Sequence, residues 1–356
     1  MDASRTRARL HLPLAALVCS VALIAGCSSG SGSSPAQDGT TTQAAAPAAA
    51  NDLQDDYLKV IKDVLPSVVQ IRASGDLGSG VVYDDNGHIV TNAHVVGDEK
   101  TFKVTTANSE DELTATLVYA YPQQDLAVIK LDKVPDGLKA ASFGDSSKVQ
   151  VGQIVLAMGS PLGLSSSVTQ GIVSATGRTV SEGSTGGGTG ATIANMVQTS
   201  AAINPGNSGG ALVDLDGRVI GIPTLAATDP TLGGTAPGIG FAIPASMVTK
   251  VADQIIKDGR VTDSGRAALG ITARTVVDDD YQAAAGVAVV EVKSGGAADK
   301  AGIEPGDIIT KIGDTDITTI TSLSEALAAE KPGDKVAVTY TRGGSEKTVD
   351  VTLGEQ

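Results

Sequence analysis

From residue 67 onward the apolar positions fall in short runs, not in a helical stripe. Val68-Val69-Gln70-Ile71, Gly80-Val81-Val82-Tyr83, His88-Ile89-Val90, Leu126-Ala127-Val128-Ile129 and Ile154-Val155-Leu156-Ala157 are separated by Gly, Asn and Asp. Asp84-Asp85-Asn86-Gly87, between two such runs, is a hairpin turn signal. Many short strands at this spacing predict a β-barrel or sandwich. Helical periodicity brackets this stretch. Leu53, Tyr57, Val60, Ile61 and Val64 recur at helix spacing, with Asn51 as cap and Pro66 as stop. Near Pro244 a second helix begins, with Met247, Val248, Val251 and Ile255 on one face and Gly259 as its stop.

After a polar segment at 260–267, read as a linker, a smaller α+β unit follows over 268–356. Its predicted strands are Gly286 to Val292, Ile308 to Ile312, Val336 to Tyr340 and Thr348 to Leu353. Between them Ser322 and Glu325 fit a capping box for a helix burying Leu323, Ala326 and Leu327.

The N-terminal residues read differently. Arg5, Arg7 and Arg9 precede an apolar run, Leu10 to Ala25, too short for the ~20 residues a spanning helix needs. Residues 1–26 are therefore expected to be a secretory signal, and Leu23-Ile24-Ala25-Gly26-Cys27 resembles the lipobox in which the Cys is lipidated. Residues 27–50, rich in Ser, Gly, Thr, Ala and Pro, cannot bury enough apolar surface to offset ordering entropy. They are expected to be a flexible tether with an r.m.s. reach of about 25–30 Å.

Composition narrows the chemistry. Among 356 residues the formal net charge is −14, which argues against nucleic acid as a partner. Two cysteines and three histidines exclude a disulfide scaffold and make a Cys/His zinc site implausible, so no metal or cofactor is expected.

Asn204-Pro205-Gly206-Asn207-Ser208-Gly209-Gly210 is the most specific motif. A nucleophilic Ser needs a tight turn on which backbone N–H groups converge, and flanking glycines permit that shape. The same residues match the G-x-S-x-G elbow of α/β-hydrolases, but that mechanism needs a His after the Ser, and none lies beyond position 94. His11 falls in the signal. His88, after the Asn86-Gly87 turn, is expected to face solvent at a strand start. His94 remains, with Asp125 opening a later strand. The order His94…Asp125…Ser208 is the trypsin-like one.

With Gly78-Ser79-Gly80-Val81-Val82, Thr91-Asn92-Ala93-His94-Val95-Val96, Asp125-Leu126-Ala127-Val128-Ile129-Lys130 and Gly238-Ile239-Gly240-Phe241-Ala242-Ile243-Pro244 added, residues 52–354 resemble the HtrA (Deg) family of trypsin-fold serine proteases with C-terminal PDZ domains. The resemblance implies a mainly β fold: two six-stranded barrels over 51–259, then one PDZ domain. It implies Ser208 as nucleophile, His94 as proton shuttle, Asp125 as its orienting partner, and the N–H groups of Gly206 and Ser208 as oxyanion hole. Ala202 would lie at the base of the S1 pocket with Ile203 and Ala226 as walls, favouring small or medium aliphatic P1 residues. Leu269-Gly270-Ile271 would be the PDZ loop that captures a peptide C-terminus. The Gly-rich loop from Arg178 to Ala194 would be the sensor between PDZ and active site, with Arg178 as a contact. Two positions depart from the family pattern: Ser200 stands where Asp is usual, and Pro223 where Asn is common.

The expected protein is thus a lipid-anchored extracytoplasmic endopeptidase acting on unfolded or misfolded envelope proteins. It would bind C-terminal peptides at its PDZ domain and form a homotrimer through the segment before the first barrel. The competing reading is a catalytically silent PDZ peptide-binding or chaperone module.

Overall fold

A computed structural model describes residues 48–73, 77–107, 109–160, 167–181, 189, 191–204, 206–229, 234–277 and 284–356. The expected signal, the lipobox Cys27 and most of the tether lie outside them. The chain enters through helix α1, Ala48–Val64, followed by a 3-10 turn, Leu65–Ser67. The helix starts three residues before the Asn51 expected as its cap, because Ala48-Ala49-Ala50 are the strongest of helix formers.

Six strands then close a barrel: β1 Val68–Arg72, β2 Leu77–Val82, β3 His88–Thr91, β4 Thr101–Thr106, β5 Ser109–Tyr121 and β6 Leu126–Leu131. Their order is β1-β2-β3-β6-β5-β4, every pair antiparallel. A one-turn helix, α2 Ala93–Val96, follows β3. Val69, Ile71, Ile89, Phe102 and Ile129 fill this interior. His88 is not solvent-facing as expected. It is buried, its Nδ1 2.7 Å from Asp84 Oδ2, while Asp84 Oδ1 accepts the N–H groups of Asn86 and His88. The Asp at the head of the turn folds back on its own hairpin and brings the ring in with it.

The second barrel repeats the plan with β7 Ile154–Gly159, β8 Ser167–Ser181, β9 Thr192–Thr199, β10 Ala211–Val213, β11 Val219–Asp229 and β12 Gly234–Pro244, in the order β10-β11-β12-β9-β8-β7. Arg178, expected on a loop, lies within β8, where β-branched Thr179 and Val180 extend the pairing with β9. Helix α3, Ala245–Asp258, starts after Pro244 and ends at left-handed Gly259. Its buried face, Val248, Val251, Ala252 and Ile255, joins the core shared by the two barrels.

The polar segment after α3 is fastened along its length. Gln254 Oε1 accepts the N–H groups of Thr262 and Asp263, its Nε2 donates to the Asp263 carbonyl, and Lys250 pairs with Asp263 at 2.7 Å. Arg266 donates to the Gln123 carbonyl at 2.8 Å.

Strand β13, Ala267–Ala268, opens the last unit, followed by β14 Ile271–Val277, β15 Ala284–Val292, α4 Ala297–Lys300, β16 Ile308–Ile312, β17 Thr315–Asp316, α5 Ile320–Ala328, β18 Lys335–Arg342, β19 Ser345–Thr352 and β20 Gly354–Glu355. β13 pairs with β20, and the main sheet runs β14-β15-β16-β18-β19. Helix α5 is capped by Thr319, not by Ser322 as expected. Thr319 Oγ1 accepts the Ser322 N–H at 3.1 Å and Ser322 Oγ accepts the Thr319 N–H at 3.0 Å, so the reciprocal box sits one turn earlier.

Asp307 is buried in this unit and held by a two-pronged pair with Arg342, at 2.6 and 2.7 Å. Burial pushes the Asp307 carboxyl up, but hydrogen bonds from Arg342 and the Glu304 N–H outweigh it and hold the group below its usual range. Its stabilisation is therefore present above the ordinary carboxylate pKa of ~3.9 and is lost as pH falls through the lowered folded value. In Arg342→Met the stranded carboxylate should lower the melting temperature of the unit at pH 7. Thermal melts should show that deficit shrinking below about pH 4, where the carboxyl can protonate; a pH-independent deficit would contradict the pairing.

Candidate active site

The site forms where chain segments leave both barrels. β3 ends at Thr91, and Asn92 in extended conformation leads into the turn carrying His94. Asp125 follows a 3-10 turn, Pro122–Gln124, and takes a left-handed conformation with φ 48°. Asn92 Nδ2 donates to the Asp125 carbonyl at 2.9 Å, tying the two segments together.

The Asp125 side chain is wholly buried. Oδ1 accepts the His94 backbone N–H at 2.9 Å, and Oδ2 lies 2.8 Å from His94 Nδ1. From the second barrel Thr224 Oγ1 donates to Oδ2. A buried ion costs several kcal/mol in lost hydration unless its lone pairs are met, and three donors meet them here. The bond at Nδ1 also fixes the ring's orientation and leaves Nε2 as the acceptor nitrogen.

Ser208 sits on the loop between β9 and β10. Its Oγ donates to the Thr224 carbonyl at 3.0 Å, so Thr224 touches Asp125 through its hydroxyl and Ser208 through its backbone. The loop's backbone is almost fully committed. Asn207 N–H donates to the Asn204 carbonyl, Gly209 N–H to Pro223, and Gly210 N–H to Asn207, while the Ser208 carbonyl accepts from Ser79 N–H. Gly206 holds φ 101°, a conformation open to glycine and costly for other residues.

Ala202 is exposed, its carbonyl accepting from Thr169 Oγ1 and Asn207 Nδ2. Ile203 is buried against Gly240, where a Cβ would stand 2.5 Å from Ile203 Cγ1, and Gly240 pairs with the backbone of Ala226. The side chain of Ala226 lies outside the described residues. At the two departures from the family pattern, Ser200 Oγ accepts the Ile172 N–H at 3.0 Å, and Pro223 sits beside a register shift, where its missing N–H breaks no regular ladder. Arg178 is exposed on β8 and pairs with Met196 of β9.

Thr224 is the site residue that the sequence reading missed. Gln124 is another neighbour it passed over, buried beside Asp125 and donating to the Ser264 carbonyl at 3.4 Å. In the C-terminal unit Leu269 is buried, Gly270 has φ 72°, and β14 forms an open sheet edge beginning at Ile271. Helix α5 starts beside that edge, with the Ile320 N–H donating to Thr275 Oγ1, and packs against β8 and β9. Among the described residues no cluster of His, Cys, Asp and Glu is arranged to hold a metal ion, and no helix is long and apolar enough to cross a membrane.

Comparison with known proteins agrees with this architecture. Residues 78–222 match the trypsin-like peptidase domain family, and residues 267–353 match the PDZ domain family. Serine protease PepD of Mycobacterium tuberculosis is 38% identical over 89% of this chain and 70% of its own length. Serine protease Do-like HtrA of Lactococcus lactis subsp. lactis is 40% identical over 78% of this chain and 70% of its own. Among solved structures, the HtrA-type protease AlgW with a bound decapeptide is 30% identical and superimposes with a TM-score of 0.58, covering 84% of this chain and 98% of that one. The serine endoprotease of Yersinia pestis is 36% identical with a TM-score of 0.56, over the same shares. A double barrel, a single PDZ domain and relatives this similar along most of their length make the chain a member of the HtrA family of serine proteases.

Proposed function

We propose that this protease cleaves exported proteins by a Ser208–His94–Asp125 triad. Ser208 Oγ attacks the scissile carbonyl carbon while its proton passes to His94 Nε2. Asp125 orients the ring and stabilises the imidazolium. The carbonyl oxygen, now an anion, is received by the N–H groups of Gly206 and Ser208. His94 then protonates the departing amine, and water releases the acyl group by the same steps in reverse roles. The observation that carries this reading is the buried Asp125 carboxylate 2.8 Å from His94 Nδ1, with Thr224 touching Asp125 through its hydroxyl and Ser208 through its backbone carbonyl.

Ala202, Ile203 and Ala226 are assigned to the S1 pocket. No carboxylate is among them, so small aliphatic P1 residues such as Ala and Val are favoured. Apolar pockets separate neighbouring aliphatics by only about 1–3 kcal/mol, which suits broad action on misfolded chains. Leu269, Gly270 and Ile271 are assigned to capture of a peptide C-terminus, the peptide adding as a strand along β14. The contact of α5 with β8 and β9 supports a path from that groove to the protease, with Arg178 on β8 as a regulatory contact. Attachment to the membrane through a lipid on Cys27, an extracytoplasmic location and assembly as a homotrimer complete the proposal. Relatives named as periplasmic DegP-like endoproteases support the location.

A fluorophosphonate probe should label the wild-type chain and leave Ser208→Ala unlabelled; absence of Ser208-dependent label with and without C-terminal peptides would favour the silent peptide-binding module. Arg178→Ala should keep basal hydrolysis of an Ala- or Val-P1 peptide and lose its stimulation by C-terminal peptides, and intact stimulation would remove Arg178 from the path. Cys27→Ser should move the protein from the membrane fraction to the soluble extracytoplasmic one, and continued sedimentation with membranes would refute lipid attachment there.

A further inference from the structure

One part of the Gly78-Ser79-Gly80 motif has no place in the triad chemistry. Ser79 is in β2 of the first barrel and fully buried, its Oγ facing Gly159, where a Cβ would stand 3.0 Å away. The glycines on either side pack the other face of the strand: a Cβ on Gly78 would stand 2.6 Å from Val95 Cγ1, and one on Gly80 2.5 Å from Ile89 Cγ2. A buried hydroxyl in such surroundings is retained only if its hydrogen bonds are met. Ser79 Oγ donates to the Gly206 carbonyl at 2.5 Å and accepts the Ser160 N–H at 2.8 Å. Its backbone N–H donates to the Ser208 carbonyl at 2.9 Å, and its carbonyl accepts from Thr91 Oγ1 at 2.7 Å. A Cβ on Gly209 would come within 2.2 Å of the Ser79 oxygen, so the two backbones are in direct contact.

These bonds fall on one peptide plane in particular. The Gly206 carbonyl and the Asn207 N–H belong to the same peptide unit. Ser79 Oγ holds its oxygen end and the Asn204 carbonyl its N–H end, at 3.0 Å. That unit lies between Gly206 N and Ser208 N, the two donors assigned to the oxyanion. The Gly206 N–H itself belongs to the preceding peptide unit, but with the Gly206–Asn207 plane clamped at both ends the Gly206 Cα that carries the first donor and the Asn207 Cα that leads to the second are fixed in place. We infer that Ser79 is a positioning residue, a strut from the first barrel that holds the Gly206–Asn207 peptide so that both oxyanion donors point to one spot. This rests on the reading of Gly206 and Ser208 as the oxyanion hole.

In Ser79→Ala the Gly206 carbonyl and the Ser160 N–H both lose their side-chain partner. Loss of one oxyanion donor in serine proteases costs about 10²–10³ in turnover, so loss of its support should cost about 10–100-fold in kcat. KM should stay within about twofold, because the ground-state carbonyl makes weaker demands on the donors than the oxyanion does. Affinity for a peptidyl trifluoromethyl ketone, whose adduct carries the oxyanion, should fall with kcat. The apparent pKa of His94 in the pH–rate profile should stay put. Rates are taken per active site, titrated with the fluorophosphonate, so that a variant merely less folded shows full kcat on fewer sites. Ser79→Cys, close in size and a weaker donor, should fall between wild type and Ala, and it carries the test if Ser79→Ala does not fold. A per-site kcat and ketone affinity within twofold of wild type in the folded variants would overturn the strut. Absence of Ser208-dependent turnover in the wild type would instead overturn the triad.

Discussion

The carboxylate of Asp125 is the constraint around which the rest of the site is arranged. It is wholly buried, and the donors that make its charge tolerable come from both barrels: the His94 backbone and ring from the first, the Thr224 hydroxyl from the second. An ionised group in that position would cost several kcal/mol if either side withdrew. The barrels are therefore held in register by the same bonds that orient the imidazole. Asp125 in its left-handed turn and Asn92 on its carbonyl bring the first-barrel segments to the seam, and the Thr224 carbonyl extends the network to Ser208.

The loop that carries Ser208 shows the complementary device. Where Asp125 is held by three donors, the loop after β9 is held by its own backbone bonds and by contacts from the first barrel. Backbone bonds from Asn207, Gly209 and Gly210, together with Ser79 on the far side, fix the loop around Gly206 and Ser208, whose N–H groups are the proposed oxyanion donors. Glycine at 206, 209 and 210 is needed for different physical reasons: a positive φ at the first two, and at 210 a Cβ that would meet the Met158 carbonyl oxygen at 2.2 Å. In the proposed mechanism these two N–H groups act as a preorganised dipole pair, which requires no reorganisation when charge develops.

Much of this was legible in the sequence because it rests on order and local pattern. Short apolar runs between turns foretold the strands, and the absence of any His beyond 94 selected the trypsin-like order over the hydrolase one. Partners distant in sequence were not legible. Thr224 meets a carboxylate 99 residues away, and nothing in Ile222-Pro223-Thr224 marks its hydroxyl. The segment after α3 looked like a loose polar linker because Gln254, Gln123 and Lys250 bind it from outside its own stretch. His88 failed for a subtler reason. Asp84 was visible as a turn residue, but its second oxygen is what draws the ring into the hairpin. At the start of α5 two hydroxyl residues competed for one capping role, and the tertiary contact of the Ile320 N–H with Thr275 lies at the earlier choice.

The role of Asp125 is most directly tested by kcat/KM of Asp125→Asn on a peptide substrate, with thermal melts to establish that the variant is folded. An amide of the same shape keeps the packing but donates where it should accept, and so selects the wrong tautomer of His94. A fall of about 10⁴-fold, with folding retained, is the expected result. Activity within tenfold of wild type in the folded variant would contradict a catalytic apparatus built on this buried carboxylate.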